Sequence, residues 1–349
     1  MSGRFLFLAA VLALCILPVA PDGAAEDGKR VLHVYTWENY FAPEAIRLFE
    51  EKNDCVVDFT FYESNETMFE VLHDGGGYDV ITPSGNAATA LFNEGYLLRL
   101  DHSLLPNLRY LDTTSRSMAL DPDMVFSVVY TVTVTGVGYN TRLVPPDAPG
   151  TWDMFSDPRL RKSMSMLNDM RETLGAALRE FGFSINSTDR EEIVRAGKLL
   201  GMWKRNIARF EVNGAIEALD NGSLLAVQAY NGDVANLMRT NPDIGFFVPT
   251  TGSALNLDAF VIPEDSEEPE LAHAFINHFI DPAIAAMNME YTSYYQPIPA
   301  AVEKLPQSLL DNSAFAISNE TIENCELIRN LGENRELYDE VWADVLLNE

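Results

Sequence analysis

Positive charge is what this sequence has least of. Its 349 residues carry 24 Lys and Arg against 52 Asp and Glu, a formal net charge of −28. Such a surface repels nucleic acid and anionic membranes and attracts cations, so polynucleotide partners are excluded. Cysteine is scarce as well, with three residues, and histidine numbers five. That rules out a disulfide-stapled scaffold and leaves little for a zinc site. The signatures G-x-S-x-G, H-E-x-x-H, C-x-x-C and the P-loop are all missing, so the familiar hydrolase, metalloprotease, thiol-redox and nucleotidase chemistries have no anchor. No catalytic residue, metal or cofactor is expected. A secreted hydrolase working through a carboxylate pair stays open only because Asp and Glu abound.

One long apolar run exists, Phe5–Ala20, preceded by Arg4 and followed by the small residues Gly23, Ala24 and Ala25. It is short for a membrane span and has the layout of an export leader, so residues 1–25 are expected to be a signal peptide. Cys15 inside the run offers a second route, lipid attachment after cleavage, although Leu12-Ala13-Leu14 fits that site loosely. Of the other cysteines, Cys55 opens a strand and Cys325 falls in a stretch that reads as helical. Both are expected as free thiols.

The composition, 47% hydrophobic and 22% charged, is that of a globular protein, and the length suggests two domains. Short apolar segments alternate with amphipathic ones. Val31–Thr36 precedes a helix near Pro43–Lys52. Val56–Tyr62 precedes a helix near Asn65–His73, with Ser64 as its cap. Strands alternating with helices predict parallel βαβ units. Residues 125–140 and 251–262 break the pattern as long extended passes between two lobes, and the last 45 residues read as mostly helical. Thr151 and Asp281 stand where they can open helices. The expected division is lobe 1 at 26–132 and 257–301, and lobe 2 at 133–256 and 302–349.

In open α/β sheets a ligand sits at the carboxyl ends of strands. That selects Trp37–Tyr40, Pro83–Asn86 and Tyr230–Asp233. "YNGD" (230–233) reads equally as an Asn-Gly turn. Asp258 stands inside the apolar run "LNLDAF", where a buried carboxylate needs a partner. "NDMRET" (168–173) reads as a helix start with acids at its positive end. The tyrosines of "YTSYYQP" (291–297) read as core.

In order along the chain, "YTWENYFAPEAIRLFEEKN", "YESNETMFEVL", "YDVITPS", "TGVGYN", "YNGD" and "LDAFVIP" resemble the bacterial periplasmic spermidine/putrescine-binding proteins. These are receptors of polyamine ABC transporters. The likeness runs from about residue 31 to 303. It implies an α/β, two-lobed type II periplasmic binding protein with its cleft between domains joined by hinge strands. It implies no enzyme activity, a monomer, a polyamine ligand and a membrane permease as partner. Residue by residue, it implies that Trp37, Glu38 and Tyr40 line the cleft with Ser84. Glu172 and Asp169 would meet an amine from the second lobe, with Tyr230 and Asp233. Asp258 would hold an ammonium, and Tyr294 would close the box. Asn86 and Asn256 depart from the family, which has aromatics there. The chemistry agrees, because each ammonium requires an acceptor and each methylene run an apolar wall. A competing reading is a ferric-ion receptor using Tyr294, Tyr295 and His33.

Overall fold

The computed structural model describes residues 28–62, 64–148 and 150–347. The expected leader and Cys15 lie outside the described residues.

Among the described residues ten strands set the frame: β1 (Arg30–Thr36), β2 (Cys55–Phe61), β3 (Val80–Ile81), β4 (Ser127–Asn140), β5 (Met164–Met166), β6 (Arg209–Phe210), β7 (Ala226–Tyr230), β8 (Ile244–Phe247), β9 (Ala254–Val261) and β10 (Glu326–Leu327). The predicted βαβ pattern is present. β1 pairs in parallel with β2 and β3, and the helices Pro43–Asn53 and Asn65–His73 connect these strands. Ser64 caps the second helix as expected, accepting from Thr67 N.

β4 belongs to two sheets. Ser127–Val134 pairs antiparallel with β9, while Thr135–Asn140 pairs with β7 and β8. The first sheet runs β2-β1-β3-β9-β4, with β10 added beside β9; the second joins β4 to β7, β5, β6 and β8. The long run at 125–140 is therefore one strand shared by both α/β layers. Gly136 makes the crossing possible, since a Cβ there would lie 2.6 Å from the Phe247 carbonyl oxygen.

One core lies beneath the first sheet and continues onto the second through Leu219, Val227, Val234 and Phe246, and a further core belongs to the second layer. Beneath the first sheet, Phe41, Phe49, Phe275 and Phe279 pack with Tyr130 and Phe260, with ring centroids of 4.7 Å for Phe41–Phe279 and 4.2 Å for Tyr130–Phe260. Beneath the second, Trp152, Phe155 and Trp203 pack with Met164, Met166 and Tyr338. Burying side chains of this size stabilises by roughly 2–3 kcal/mol each.

Several local expectations need correction. Thr151 opens a five-residue 3-10 turn, Trp152–Ser156, rather than an α-helix. The C-terminal stretch is less helical than its periodicity suggests. It contains helices Gln307–Leu310, Asn319–Glu323 and Arg335–Leu347, and also β10, which pairs with Ala254 and Leu255. Cys325 stands immediately before that strand, outside any helix. The returning segment is tied to the second layer by Arg179, whose guanidinium meets Glu326 at 2.6 Å and the Thr251 carbonyl at 3.0 Å. Cys55 and Cys325 are free. No helix among the described residues is long and apolar enough to cross a membrane.

Candidate functional site

Two strand ends and a loop build the first wall. The hydroxyls of Thr36 and Thr82, at the ends of β1 and β3, meet at 2.6 Å. Trp37 then donates its indole N–H to the Thr82 carbonyl at 2.9 Å, with its ring 4.4 Å from that of Tyr62. Asn39 takes a left-handed conformation at φ 58, a turn that Asn tolerates. Tyr40 follows and is buried. Its phenol donates to Asp258 Oδ2, and the Thr131 hydroxyl lies 2.8 Å from that phenol and 3.3 Å from the carboxylate.

A β-bulge makes this arrangement possible. The register of β4 on β9 shifts between Val129 and Thr131, leaving Tyr130 as an extra residue. A bulge re-aims side chains beside a site. Here both Tyr130 and Thr131 reach Tyr40. Tyr130 donates to the Tyr40 carbonyl at 2.7 Å while accepting from Asn288 Nδ2 at 2.7 Å, and Thr131 takes the hydroxyl side.

The second wall comes from β7 and its neighbours. Tyr230 ends β7, and Asn231–Met238 continues directly as a helix. The Asn-Gly turn considered for these residues is therefore a helical first turn, where Asp233 meets the positive helix end. Asn231 is structural, accepting from Val134 N at 2.9 Å and donating to the Ala314 carbonyl at 2.9 Å. Gly232 faces Tyr294 so closely that a Cβ would lie 2.4 Å from two ring carbons. Tyr294 in turn favours the ionised form of Asp233 and packs against Tyr40, with ring centroids 5.8 Å apart.

Glu172 completes the constellation. Asp169 caps the helix Met170–Glu180 by accepting from Arg171 N and Glu172 N. Glu172 sits in the first turn of that helix. Asn256, on β9, donates to Glu172 Oε1 at 2.7 Å, and the Thr135 hydroxyl also acts on this buried carboxylate, favouring its ionised form against burial.

These acids surround one phenol. Burial raises the pKa of Tyr230, and the charges of Glu172, Asp169, Asp258 and Asp233 raise it further. Burial also pushes Asp258 up to about 6, against donation from Tyr40 and Thr131, and Asp233 up to about 6, against Tyr294. Glu172 is raised as well, first by burial and then by Asp169. The structure thus brings together Tyr40, Asp258, Tyr294, Asp233, Tyr230, Glu172, Asp169 and Asn256. Trp37 forms an adjoining half-buried wall. Ser84 occupies the N-cap position of the helix Gly85–Asn93, yet its hydroxyl bonds Asn86 Oδ1 at 2.7 Å instead of capping the helix. An isolated antiparallel bridge sets the Ser84 backbone beside that of Asp258, and both residues are buried. Glu38 is exposed.

The sequence reasoning passed over Thr131, Tyr62, Tyr130 and Gly232. Thr131 and Tyr130 carried one signal, polar groups within a β-branched strand. The ferric constellation does not assemble. His33 pairs with Asp58 at 3.3 Å on β1 and β2, and Tyr295 bridges Val132 through its backbone with its ring 6.4 Å from Phe315. Among the described residues, no group of three or more His, Cys, Asp or Glu could hold a metal ion.

A pH dependence follows. In the ligand-free fold Asp258 and Asp233 titrate near 6, above the ordinary value of about 3.9 for an unfolded chain. Between these values the folded state binds more protons, so this contribution is complete below about 4 and is lost as pH rises through about 6. The ligand-free protein should lose several degrees of melting temperature to these groups between pH 5 and 7.5. Neutralising Asp258 and Asp233 together as Asn should reduce that slope, with Glu172 keeping the remainder. A slope unchanged in the double variant would remove these acids as its cause.

Comparison with known proteins agrees with the geometry. Residues 44–316 match the model of the family described as bacterial extracellular solute-binding protein. The chain is 28% identical over 334 residues to a spermidine/putrescine-binding periplasmic protein of Escherichia coli, covering 95% of this chain and 96% of that protein. A solved structure of a candidate spermidine/putrescine ABC transporter from Listeria monocytogenes superposes with a TM-score of 0.86 at 29% identity, covering 92% of this chain and 100% of the other. A lipoprotein of Treponema pallidum gives a TM-score of 0.82 at 30% identity, covering 90% of this chain and 99% of that one.

Proposed function

This chain belongs to the family of bacterial extracellular solute-binding proteins, and from that premise we propose that it is the polyamine receptor of an ABC transporter. It takes up a linear polyamine in the cleft and hands it to a membrane permease. The observation that carries the proposal is the group formed by the buried carboxylates Asp258 and Glu172 and the half-buried Asp233, walled by Tyr40, Tyr230 and Tyr294. Acids in such a place are matched by ammonium groups, while the aromatic faces receive methylenes and add cation–π attraction of roughly 0.5–2 kcal/mol per contact. Two lobes supply ligand groups from both sides, Tyr40 and Asp258 from one and Glu172, Tyr230 and Asp233 from the other. Binding therefore favours the closed form. No covalent step is required, and the polyamine leaves unchanged.

The chain works in the periplasm as a monomer, exported by its N-terminal segment. Mass measurement of the mature N-terminus separates cleavage after Ala25 from lipid attachment at Cys15. Calorimetric titration of the protein with putrescine and spermidine tests the function. Micromolar or tighter binding of at least one, about −8 kcal/mol or better, is expected. No heat with either polyamine at millimolar concentration would refute the proposal.

A further inference from the structure

The turn that carries Tyr40 has no local fastening. Asn39 is left-handed at φ 58, and Ala42 stands at the N-cap of the helix Pro43–Asn53 with no side chain to cap it. Tyr40 between them is nevertheless buried, with its phenol on Asp258 and Thr131. The fastening is Asn288, 246 residues beyond Ala42. It lies on the helix Pro282–Thr292 and is fully buried. Its Oδ1 accepts from Ala42 N at 2.7 Å. Its Nδ2 donates to the Tyr130 hydroxyl at 2.7 Å and, at 3.4 Å, to the Tyr40 carbonyl. Tyr130 relays the hold by donating to that same carbonyl at 2.7 Å.

The partners fix the direction of every bond. Ala42 N only donates and the Tyr40 carbonyl only accepts, so the side-chain oxygen faces the first and the nitrogen the second. These bonds go to the backbone of the turn and to Tyr130, and among the described residues none goes to a carboxylate of the cleft. The same helix ends at Ser293, left-handed at φ 59, from which the chain passes directly into Tyr294. One helix therefore supports both rings of the Tyr40–Tyr294 contact, the first through a side chain and the second through its C-terminus.

We propose that Asn288 is a positioning residue of the binding site, one that meets no ligand and holds the Tyr40–Ala42 turn so that the Tyr40 phenol stays on Asp258. The proposal rests on the polyamine reading above. An apolar side chain at this position leaves the Ala42 N–H without its acceptor where water does not reach, which is costly. The turn then relaxes toward other partners and carries the phenol with it, and hydrogen bonds weaken steeply with distance and angle.

Calorimetric titration of the whole protein with spermidine and with putrescine compares the parent, Asn288→Leu, Tyr40→Phe and the double variant. Asn288→Leu should weaken binding about tenfold or more. In the Tyr40→Phe background, which has no phenol to position, the same substitution should cost less than about threefold. Parental affinity in Asn288→Leu, or an equal cost in both backgrounds, would overturn the proposal. Asn206→Leu is the control for stability alone. Asn206 donates to the Phe155 and Asp157 carbonyls at 2.9 and 2.8 Å in the second layer, so its loss should lower the melting temperature and leave affinity unchanged. If Asn288→Leu does not fold, Tyr130→Phe decides. It removes only the relaying hydroxyl and should weaken binding several fold, whereas parental affinity would overturn the proposal.

The pH profile of binding gives a separate readout. Asp258 is faced by the hydroxyls of Tyr40 and Thr131, and the phenols of Tyr62, Tyr130, Tyr230 and Tyr294 lie in its field. Donation from Tyr40 favours the ionised carboxylate against burial. Losing it should move the fall of affinity on acidification to higher pH in Asn288→Leu and not in Asn206→Leu. An unmoved profile would make Asn288 a structural residue only. Absence of binding by the parent would instead remove the functional reading, whereas a parent that binds and variants that bind equally well overturn this proposal alone.

Discussion

Asp258→Asn should lower polyamine affinity at least about a hundredfold while the ligand-free protein melts no earlier than the parent. The two outcomes have one origin. Asp258 is buried with its carboxyl pushed up to about 6, so the ionised form is strained in the absence of ligand. The amide has the same shape and keeps an oxygen for the Tyr40 and Thr131 hydroxyls. Its neutrality removes the strain at neutral pH. With ligand present the balance reverses. An ammonium facing an amide loses its counter-charge inside the cleft, a loss of roughly 3–5 kcal/mol by analogy with broken buried pairs. Titration calorimetry and thermal melting measure the two halves separately. A less than threefold change in affinity would show that Asp258 does not anchor the ligand. A marked fall in ligand-free melting temperature would show that the carboxylate is structural.

Gly232→Ala should weaken binding about tenfold or more, although the glycine contributes no functional group. The added methyl would stand 2.4 Å from two carbons of the Tyr294 ring and 2.6 Å from a third. Ordinary contact requires about 1 Å more, so the ring or the helix start must move. The ring is held between Tyr40 and Asp233, and displacing it disturbs both carboxylate environments. Overpacking of this kind typically costs about 1–3 kcal/mol. A double-mutant cycle with Tyr294→Leu isolates the cause. Once the ring is gone, the alanine should cost little. If it costs as much without the ring, the damage lies in the helix start and not in the tyrosine wall.

Much of this site was visible before any fold was known, and the reasons are local. Tyr40, Tyr230, Asp233 and Asp258 stand out because large aromatics and isolated acids are uncommon guests at strand ends and in apolar runs. Family resemblance added Glu172, Asp169 and Tyr294 by position. Helix starts at Asn65 and Pro282 were legible from Ser64 and Asp281, whose side chains accept from Thr67 N and Ala283 N. The register was not legible. The bulge at Tyr130 depends on how β4 meets β9, strands more than a hundred residues apart. Thr131 is one of several threonines in a β-branched run, and no local pattern selects it. Asn231-Gly232 misled because the dipeptide favours turns. Tertiary packing of Tyr294 and the hydrogen bond from Val134 N hold it in a helix instead. β10 was missed for a similar reason. Two residues have no periodicity, and pairing with Ala254 and Leu255 defines the strand.

The place of β9 in the first sheet has a consequence for how the chain reaches this structure. β1, β2 and β3 are complete by residue 81, yet β3 pairs with β9 through Ile81 and Val261, and β4 also lies on β9. The central strand of the first layer is therefore synthesised about 180 residues after β3 and more than a hundred after β4. Contacts of such separation in sequence slow the search for the native state. Until Ala254–Val261 arrives, the β3 edge and the first stretch of β4 lack their shared partner. A chain stopped before β9 should remain sensitive to protease over its N-terminal hundred residues, while the whole chain resists. Under the export proposed above that delay has a use, because a chain whose centre is still missing remains threadable.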